Sequence, residues 1–218
     1  MKLASSLFYL TAILFSILMA FTYRRYLRKR HLIILLPYLI YVFVQETTLW
    51  LLYYLDYYKT NAIVYNIYRP INVIVFFWVY YNIPFLIPYR KLIGWLTAIY
   101  LLATLLNYCF IESILSQDRY LALARGFVIT FYALLFLFRY FQLDNREEEK
   151  YWRPLLWITT GIAIFYPVVS ISLSFQKYLA ADSATLYGVK LYNVIPQVMS
   201  IFMYSCFSYA FYLCRKIK

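Results

Sequence analysis

Three ionisable side chains lie inside long apolar segments of this chain, where an ionised group is costly. They are Glu46, Arg69 and Arg125, whereas the other acids and bases lie between the apolar segments or near their ends. A charge at the centre of a bilayer costs roughly 3 kcal/mol on insertion scales, so such residues usually face a bundle interior or a cavity and mark functional sites. One carboxylate and two guanidinium groups can hold a charged or zwitterionic molecule.

Glu46 and Arg69 are predicted to lie at similar depths. Glu46 is nine residues before the end of its apolar segment, and Arg69 is seven residues after the start of the next one. With a helical rise of about 1.5 Å per residue, these offsets correspond to about 14 and 10 Å from the same face. We predict an ion pair, because pairing lowers the cost of burying either charge.

Amide side chains recur at helical spacing around these charges. Asn66 and Asn72 flank Arg69 at three residues on either side, and Asn193 and Gln197 are one turn apart in the last apolar segment. The predicted ligand-binding set is Glu46, Arg69, Asn66, Asn72, Asn107, Arg125, Asn193 and Gln197. The alternative is that these groups only form hydrogen bonds between helices, as in many membrane bundles.

These residues do not form a catalytic set. The chain has one histidine, His31, and it lacks paired intramembrane aspartates, an HExxH zinc motif, an Asp-rich diphosphate motif and a Gly-rich phosphate loop. Lys190 lies at the start of the last apolar segment, not at its middle where a retinal lysine would be. The three cysteines have no CxxC spacing and are predicted to pack in the core. We expect no enzymatic activity, no metal and no cofactor.

Seven apolar segments must position the site. The chain of 218 residues is 65% hydrophobic and 14% charged, with a mean hydropathy of +0.65, and a soluble domain of this size could not bury that surface. Runs of about 20 apolar residues predict membrane spans near 4–23, 32–55, 62–83, 92–112, 121–141, 155–175 and 188–214. The fold class is an all-α membrane protein, a seven-helix bundle formed by a single domain over residues 1–218.

The positive charges predict the orientation. The first, third and fifth connections and the C-terminus carry fourteen Lys and Arg residues, against five on the opposite side. Cytoplasmic segments carry the excess, so the N-terminus is predicted outside and the C-terminus in the cytoplasm of an inner (plasma) membrane protein. The net charge of +12 comes from basic residues that lie at the ends of the apolar segments, where they would face the surfaces of a lipid bilayer. We therefore expect no nucleic-acid partner.

The third and seventh segments share a short pattern. Tyr65-Asn66 is followed by Pro70, and Tyr192-Asn193 is followed by Pro196. The two segments are four spans apart, which suggests a 3+1+3 internal duplication, although the proline offsets differ by one residue and chance is the alternative.

An acidic stretch lies in the longest polar connection, residues 142–154. Glu147, Glu148 and Glu149 are three of the nine acids in the chain. One interpretation is a solvated loop of mixed charge. The other is a partner-docking loop, because an anionic leaflet repels adjacent glutamates and a partner with a basic surface could bind them.

Three stretches resemble a known family. They are a WxxTGIxxFY-like run over residues 157–166, a tail over residues 209–216, and YNIYRPINVIVFF at residues 65–77. They are similar to an uncharacterised family of small seven-helix bacterial membrane proteins, of Bacteroidota type, associated with sensor histidine kinases. The resemblance implies an inner-membrane, sensor-like protein whose output depends on a separate partner such as a histidine kinase.

Three functions are compatible with these features. The first is a sensor or receptor-like module that binds a small polar ligand in a Tyr-lined pocket of the outer half and signals through a separate partner. The second is a small-solute transporter of 3+1+3 type, with its site at the repeat interface. The third is a non-catalytic membrane assembly subunit.

Overall fold

A computed structural model describes residues 2–55, 62–116, 119–175, 185–186 and 189–216. The helices are α1 (Lys2–Thr22), α2 (Arg24–Lys29), α3 (Leu35–Tyr54), α4 (Ala62–Tyr81), α5 (Arg90–Leu106), α6 (Arg119–Tyr140), α7 (Arg146–Ser174) and α8 (Leu191–Lys216). A 3-10 helix (Pro84–Tyr89) precedes α5, and a π-helical turn (Asn107–Ile111) follows it. A bundle of long helices is therefore confirmed.

Six helices are long and apolar enough to cross a membrane, counted over the described residues. They correspond to α3, α4, α5 with its flanking turns, α6, α7 and α8. Helices satisfy their backbone hydrogen bonds internally, which is the condition for spanning lipid. The apolar stretch of α1 from Leu7 to Thr22 is shorter. A multi-pass membrane protein is thus supported, and the seventh span and the orientation stay predictions.

The sixth predicted span begins earlier than expected. α7 starts at Arg146, so the stretch assigned to a polar connection is helical over most of its length. Asn145 has an extended backbone, and its side chain accepts a hydrogen bond from the Glu147 backbone N–H at 3.0 Å. An Asn at this position satisfies an otherwise unpaired N–H group, and acidic residues in the first turn interact favourably with the helix dipole. The loop assignment of Glu147, Glu148 and Glu149 is therefore wrong.

A short antiparallel ladder precedes α8. Thr185–Leu186 (β1) pairs with Val189–Lys190 (β2), with Thr185 opposite Lys190 and Leu186 opposite Val189. The sequence prediction of an all-α protein did not include this ladder. β1 lies between the last two predicted spans, whereas β2 overlaps the start of the seventh, which was predicted near 188–214.

The helices pack unevenly around the bundle. α7 packs extensively against α8 and α6, α8 packs against α1, and α6 packs against α4. The backbones of α3 and α4 approach each other at few positions, although these helices are consecutive. Tyrosine rings occupy the space between them, since Tyr38 and Tyr41 of α3 both stack near Tyr68 of α4.

Gly161 explains the close contact of α7 with α8. A Cβ atom at this position would lie 3.0 Å from the Cβ of Cys206 and 3.3 Å from the backbone of Met203. Ser16 of α1 binds the same helix further along, donating to the Tyr204 carbonyl at 2.7 Å and lying 2.8 Å from the Ser208 hydroxyl. α8 is therefore held on two sides by small residues.

Candidate functional site

Asn72 is the centre of a buried hydrogen-bond network that joins three helices. Its Nδ2 donates to the hydroxyls of Tyr38 and Tyr68, and its Oδ1 accepts from the Tyr166 hydroxyl at 2.7 Å. The Tyr38 and Tyr68 hydroxyls lie 2.8 Å apart. All polar atoms of this amide are used within the bundle, so Asn72 has a structural role.

Asn66 and Arg69 hold the connection between α5 and α6. The Asn66 Nδ2 donates to the carbonyls of Ile114 and Ser116, each at 2.8 Å. The Arg69 Nη1 donates to the Asn66 Oδ1 at 2.6 Å, which fixes the orientation of the amide. The predicted helical spacing does bring these two residues together. These contacts stabilise the connection between α5 and α6. They use all the polar atoms of the Asn66 amide, which therefore cannot also bind a ligand.

Glu46 is bound by a tyrosine. The Tyr65 hydroxyl donates to the two carboxylate oxygens at 3.3 and 3.5 Å. Among the described residues, the structure shows an ion pair between Lys150 and Glu147. It shows none between Glu46 and Arg69, so the predicted Glu46–Arg69 ion pair is not formed. The two depths are similar, but the side chains take different partners.

Arg125 has aromatic neighbours and no acidic one in the part of the chain that the structure describes. Its guanidinium carbon lies 5.6 Å from the ring centroids of both Tyr68 and Tyr166. Its Nε is buried and makes no hydrogen bond to the described residues. Two cation–π contacts are worth about 1–2 kcal/mol each when desolvated, which offsets only part of the cost of burying the charge. The guanidinium can therefore bind an anion.

No protein-family model matches this chain, and searches of curated proteins and of solved structures find no similar protein. The family resemblance inferred from the sequence stays a prediction. The function has to be argued from the geometry of the chain itself.

The charged residues lie beside the loosely packed α3–α4 boundary. Glu46, Tyr65, Tyr68, Arg69 and Arg125 are all half-buried, in contrast to the fully buried Asn66 and Asn72. The backbones of α3 and α4 are well separated here, and tyrosine rings fill their boundary. The group formed by Glu46, Tyr65, Tyr68 and Arg125 is named the α4 polar group below.

The remaining predicted site residues are less closely associated with it. The Asn107 carbonyl accepts from the Glu112 N–H at 2.8 Å in the π-helical turn. Gln197 is half-buried, and its Oε1 has no hydrogen-bond partner within the described residues. The Asn193 side chain lies outside the residues whose side chains are described. The structure therefore unites Asn66, Asn72, Arg69, Glu46 and Arg125 around α4.

Sequence reasoning missed the tyrosines that connect this site. Tyr68 contacts Arg125, Tyr38, Tyr41 and Asn72, and its spacing of four residues from Asn72 was a usable signal. Gln45 was also missed: it is 6% exposed, and neither of its amide atoms has a partner within the described residues. Its position beside Glu46 in the sequence was a second signal.

Two grooves lie away from the charged residues, on the outer surface of the bundle. One of about 470 Å³ runs between α6 and α7 and is lined by apolar groups that include Phe127, Pro167 and Ile171. The other, of about 250 Å³, lies between α1 and α8 beside Phe15 and Tyr209. Their largely apolar linings suit lipid chains better than a charged ligand. Among the described residues, no group of three His, Cys, Asp or Glu side chains could hold a metal ion.

Proposed function

We propose that this protein is a sensor or receptor-like membrane module that binds a small charged ligand at the α4 polar group and signals through a separate partner. The observation that carries the proposal is Arg125, a half-buried cation that contacts two tyrosine rings and is paired with no carboxylate among the described residues. A cation in this setting destabilises the bundle unless something compensates it. An anionic ligand group provides that compensation, with two parallel hydrogen bonds from the guanidinium.

The α4 polar group also gives a route from ligand to helix movement. A ligand at Tyr68 and Arg125 touches α4 and α6 directly and α7 through Tyr166. The loosely packed α3 can move against α4 with little loss of backbone packing. A shift of α3 then changes the position of α2 and its exposed arginines at the opposite end. The ligand binds one of the two positions of α3 more tightly than the other and so increases the population of that position.

The test uses purified protein in lipid nanodiscs and a panel of carboxylates: acetate, succinate and the free amino acids. At least one of them should raise the thermal unfolding temperature of the natural protein and fail to raise that of Arg125→Gln. Without ligand, Arg125→Gln should be no less stable than the natural protein, because it removes an uncompensated charge. Arg25→Gln, an exposed position in α2, is the matched control and should retain the ligand effect. Equal ligand stabilisation of Arg125→Gln would contradict the proposal.

The topology that we propose has seven spans, with α1 as the first, the N-terminus outside and the C-terminus in the cytoplasm of an inner membrane. The excess of Lys and Arg in alternate connections supports it. With this orientation Glu46, Arg69 and Arg125 lie in the outer half, where an external ligand can reach them. A histidine kinase or another membrane protein would then receive the signal on the inner side.

We propose the first turn of α7 as the partner-docking element. Glu147, Glu148 and Glu149 are solvent-accessible there, and Glu147 pairs with Lys150 at 3.5 Å. Replacing the three glutamates with glutamine should reduce capture of a basic partner from native membranes, and the insertion and thermal stability should be retained. Asp144→Asn, in the preceding connection, is the control of the same chemistry. Undiminished capture by the triple variant would remove the docking role.

The transporter hypothesis receives less support from the packing. A 3+1+3 duplication would relate the α3–α4 pair to the α7–α8 pair. The first pair is loosely packed and the second is the most closely packed in the bundle, through Gly161. Tyr192 and Asn193, on which the repeat pattern depends, lie outside the described side chains. An assembly subunit remains the third hypothesis, and the exposed apolar groups along α6 and α7 are the surface that it would use.

A further inference from the structure

The groove between α1 and α8 has the dimensions of part of one acyl chain. Its volume is about 250 Å³, and its lining residues are Phe15, Met19, Ser205, Ser208, Tyr209 and Tyr212. The hydroxyls of Ser205 and Ser208 bind carbonyls of their own helix, so they do not require a polar occupant. From Ser205 to Tyr212 the wall rises by about 10 Å. This is less than half of a hydrocarbon core about 30 Å thick, so the groove fits within one leaflet.

One end of the groove lies where α1 stops and the basic helix α2 starts. The Tyr23 backbone N–H donates to the Met19 carbonyl at 3.1 Å, so Tyr23 is one helical turn beyond the groove wall. Its ring meets the Tyr212 ring edge-on, with 6.4 Å between the centroids. α2 begins at the next residue, Arg24, and packs against α8. An apolar groove therefore leads directly to a cluster of basic side chains.

Two exposed arginines flank this end of the groove, one on each helix. The guanidinium carbon of Arg24 lies 5.1 Å from the ring centroid of Phe21, an α1 side chain that is 57% exposed. This cation–π contact holds the charge at the edge of the apolar surface of α1. Arg215 is three residues beyond Tyr212, which is about 4.5 Å of helical rise. Neither arginine is paired with a carboxylate within the described residues.

We propose that the α1–α8 groove and its two flanking arginines form a binding site for one anionic phospholipid, such as phosphatidylglycerol. One acyl chain lies in the groove, and the other lies on the exposed apolar face of α1 at Leu18 and Phe21. The phosphate accepts hydrogen bonds from the guanidinium groups of Arg24 and Arg215, whose planar donors match phosphate oxygens. This site is separate from the α4 polar group and does not depend on its ligand.

The charges favour an anionic head group over a zwitterionic one. A choline or ethanolamine head group brings its own cation beside two guanidinium groups, and like charges repel. The groove between α6 and α7 is larger, about 470 Å³, and is also lined by apolar side chains. It provides a matched control, because filling it should not affect a lipid that is bound between α1 and α8.

The experiment is native mass spectrometry of the protein released from nanodiscs. These contain equal amounts of phosphatidylglycerol and phosphatidylcholine with the same acyl chains, so the mass of a retained lipid identifies its head group. The natural protein should retain one phosphatidylglycerol in preference to phosphatidylcholine. Free glycerol 3-phosphate in excess should not displace it, because the head group alone lacks the apolar burial that the chains contribute.

Variants of the charges test the head-group contacts. Arg24→Gln combined with Arg215→Gln should lower the preference for phosphatidylglycerol about tenfold or more, because each arginine beside an anionic head group adds to the binding free energy. Lys91→Gln combined with Arg153→Gln removes the same charge from exposed positions on α5 and α7 and should retain the preference.

Variants of the groove test the acyl-chain contacts. Ser205 is exposed and its hydroxyl binds the Ile201 carbonyl one turn away, so Ser205→Trp fills the groove without disturbing the core. It should abolish the retention of phosphatidylglycerol. Met19→Trp fills the groove from α1 and should have the same effect. Ala124→Trp, in the α6–α7 groove, should retain the lipid. Thermal unfolding identifies any variant that is misfolded.

Four results would overturn the inference. The first is equal retention of the two lipids by the natural protein. The second is the same loss of preference in both double charge variants, which would indicate a general attraction of a basic protein to anionic lipid. The third is unchanged retention when tryptophan fills the groove from either helix, or displacement by glycerol 3-phosphate. The fourth is a dimer that Ser205→Trp converts to a monomer, which would assign the groove to a second copy of the chain.

Discussion

The polar side chains of the bundle are of two kinds, which differ in how fully their polar atoms are hydrogen-bonded within the protein. Asn72 and Asn66 use all their amide atoms within the protein. Glu46 and Arg125 are ionisable, and their contacts among the described residues are with tyrosines. The first kind stabilises the bundle. The second kind costs stability and is the expected place of function.

Replacing Asn72 with alanine should destabilise the protein by about 2 kcal/mol or more, because the buried Tyr166 hydroxyl loses its acceptor and the Tyr38–Tyr68 pair loses a donor. The measurement is thermal or denaturant unfolding in a mild detergent. Asn82→Ala is the control, since Asn82 donates at the end of α4 to the Trp78 carbonyl and should lose less than about 1 kcal/mol. Similar losses for both variants would contradict the structural role of Asn72.

α7 and α8 are the most closely packed pair of helices. They can approach each other because one residue at their contact is a glycine. Gly161 lets the two backbones approach, as small residues do where membrane helices pack. Gly94 in α5 has nothing within 4 Å of the position of a Cβ atom. Both residues are glycines, but Gly161 is closely surrounded and Gly94 has open space where a side chain would lie.

The same substitution, glycine to alanine, should stabilise the protein at position 94 and not at position 161. Gly94→Ala should stabilise the protein by up to about 1 kcal/mol, because alanine favours the helix. In Gly161→Ala the added Cβ crowds Cys206, and this should cancel the stabilisation that alanine gives to the helix. Gly161→Leu should lower the free energy of unfolding by about 1–3 kcal/mol, because the larger side chain overpacks against the Met203 backbone. Unfolding of the three variants tests this prediction. Tolerance of leucine at position 161 would show that α7 and α8 can separate at little cost.

The whole molecule is a bundle of apolar helices whose charge distribution predicts its orientation. Six helices meet the requirements of length and hydropathy within the described residues, and α1 is the element on which a seventh span depends. An odd number of spans places the two termini on opposite sides, and an even number places them on the same side.

Locating both termini therefore decides the count. With seven spans, a protease added outside spheroplasts should remove an N-terminal tag, and a C-terminal fluorescent protein should be active and protected. The five basic residues between α1 and α3 should control this orientation, so replacing them with neutral residues should produce a mixed population. Protection of both termini would mean that α1 does not cross the membrane.

The sequence by itself determined the helical membrane bundle, because the length and apolarity of a span are local properties that lipid enforces. It also identified Glu46, Arg69 and Arg125, since an ionisable group in an apolar run is visible without coordinates. It could not assign their partners. Depth along a span does not fix rotation about the helix axis, so Glu46 and Arg69 lie at similar predicted depths but contact Tyr65 and Asn66. Only the tertiary packing, which places tyrosines between α3 and α4 and Arg125 of α6 on Tyr68, decided which partner each of these side chains has among the described residues.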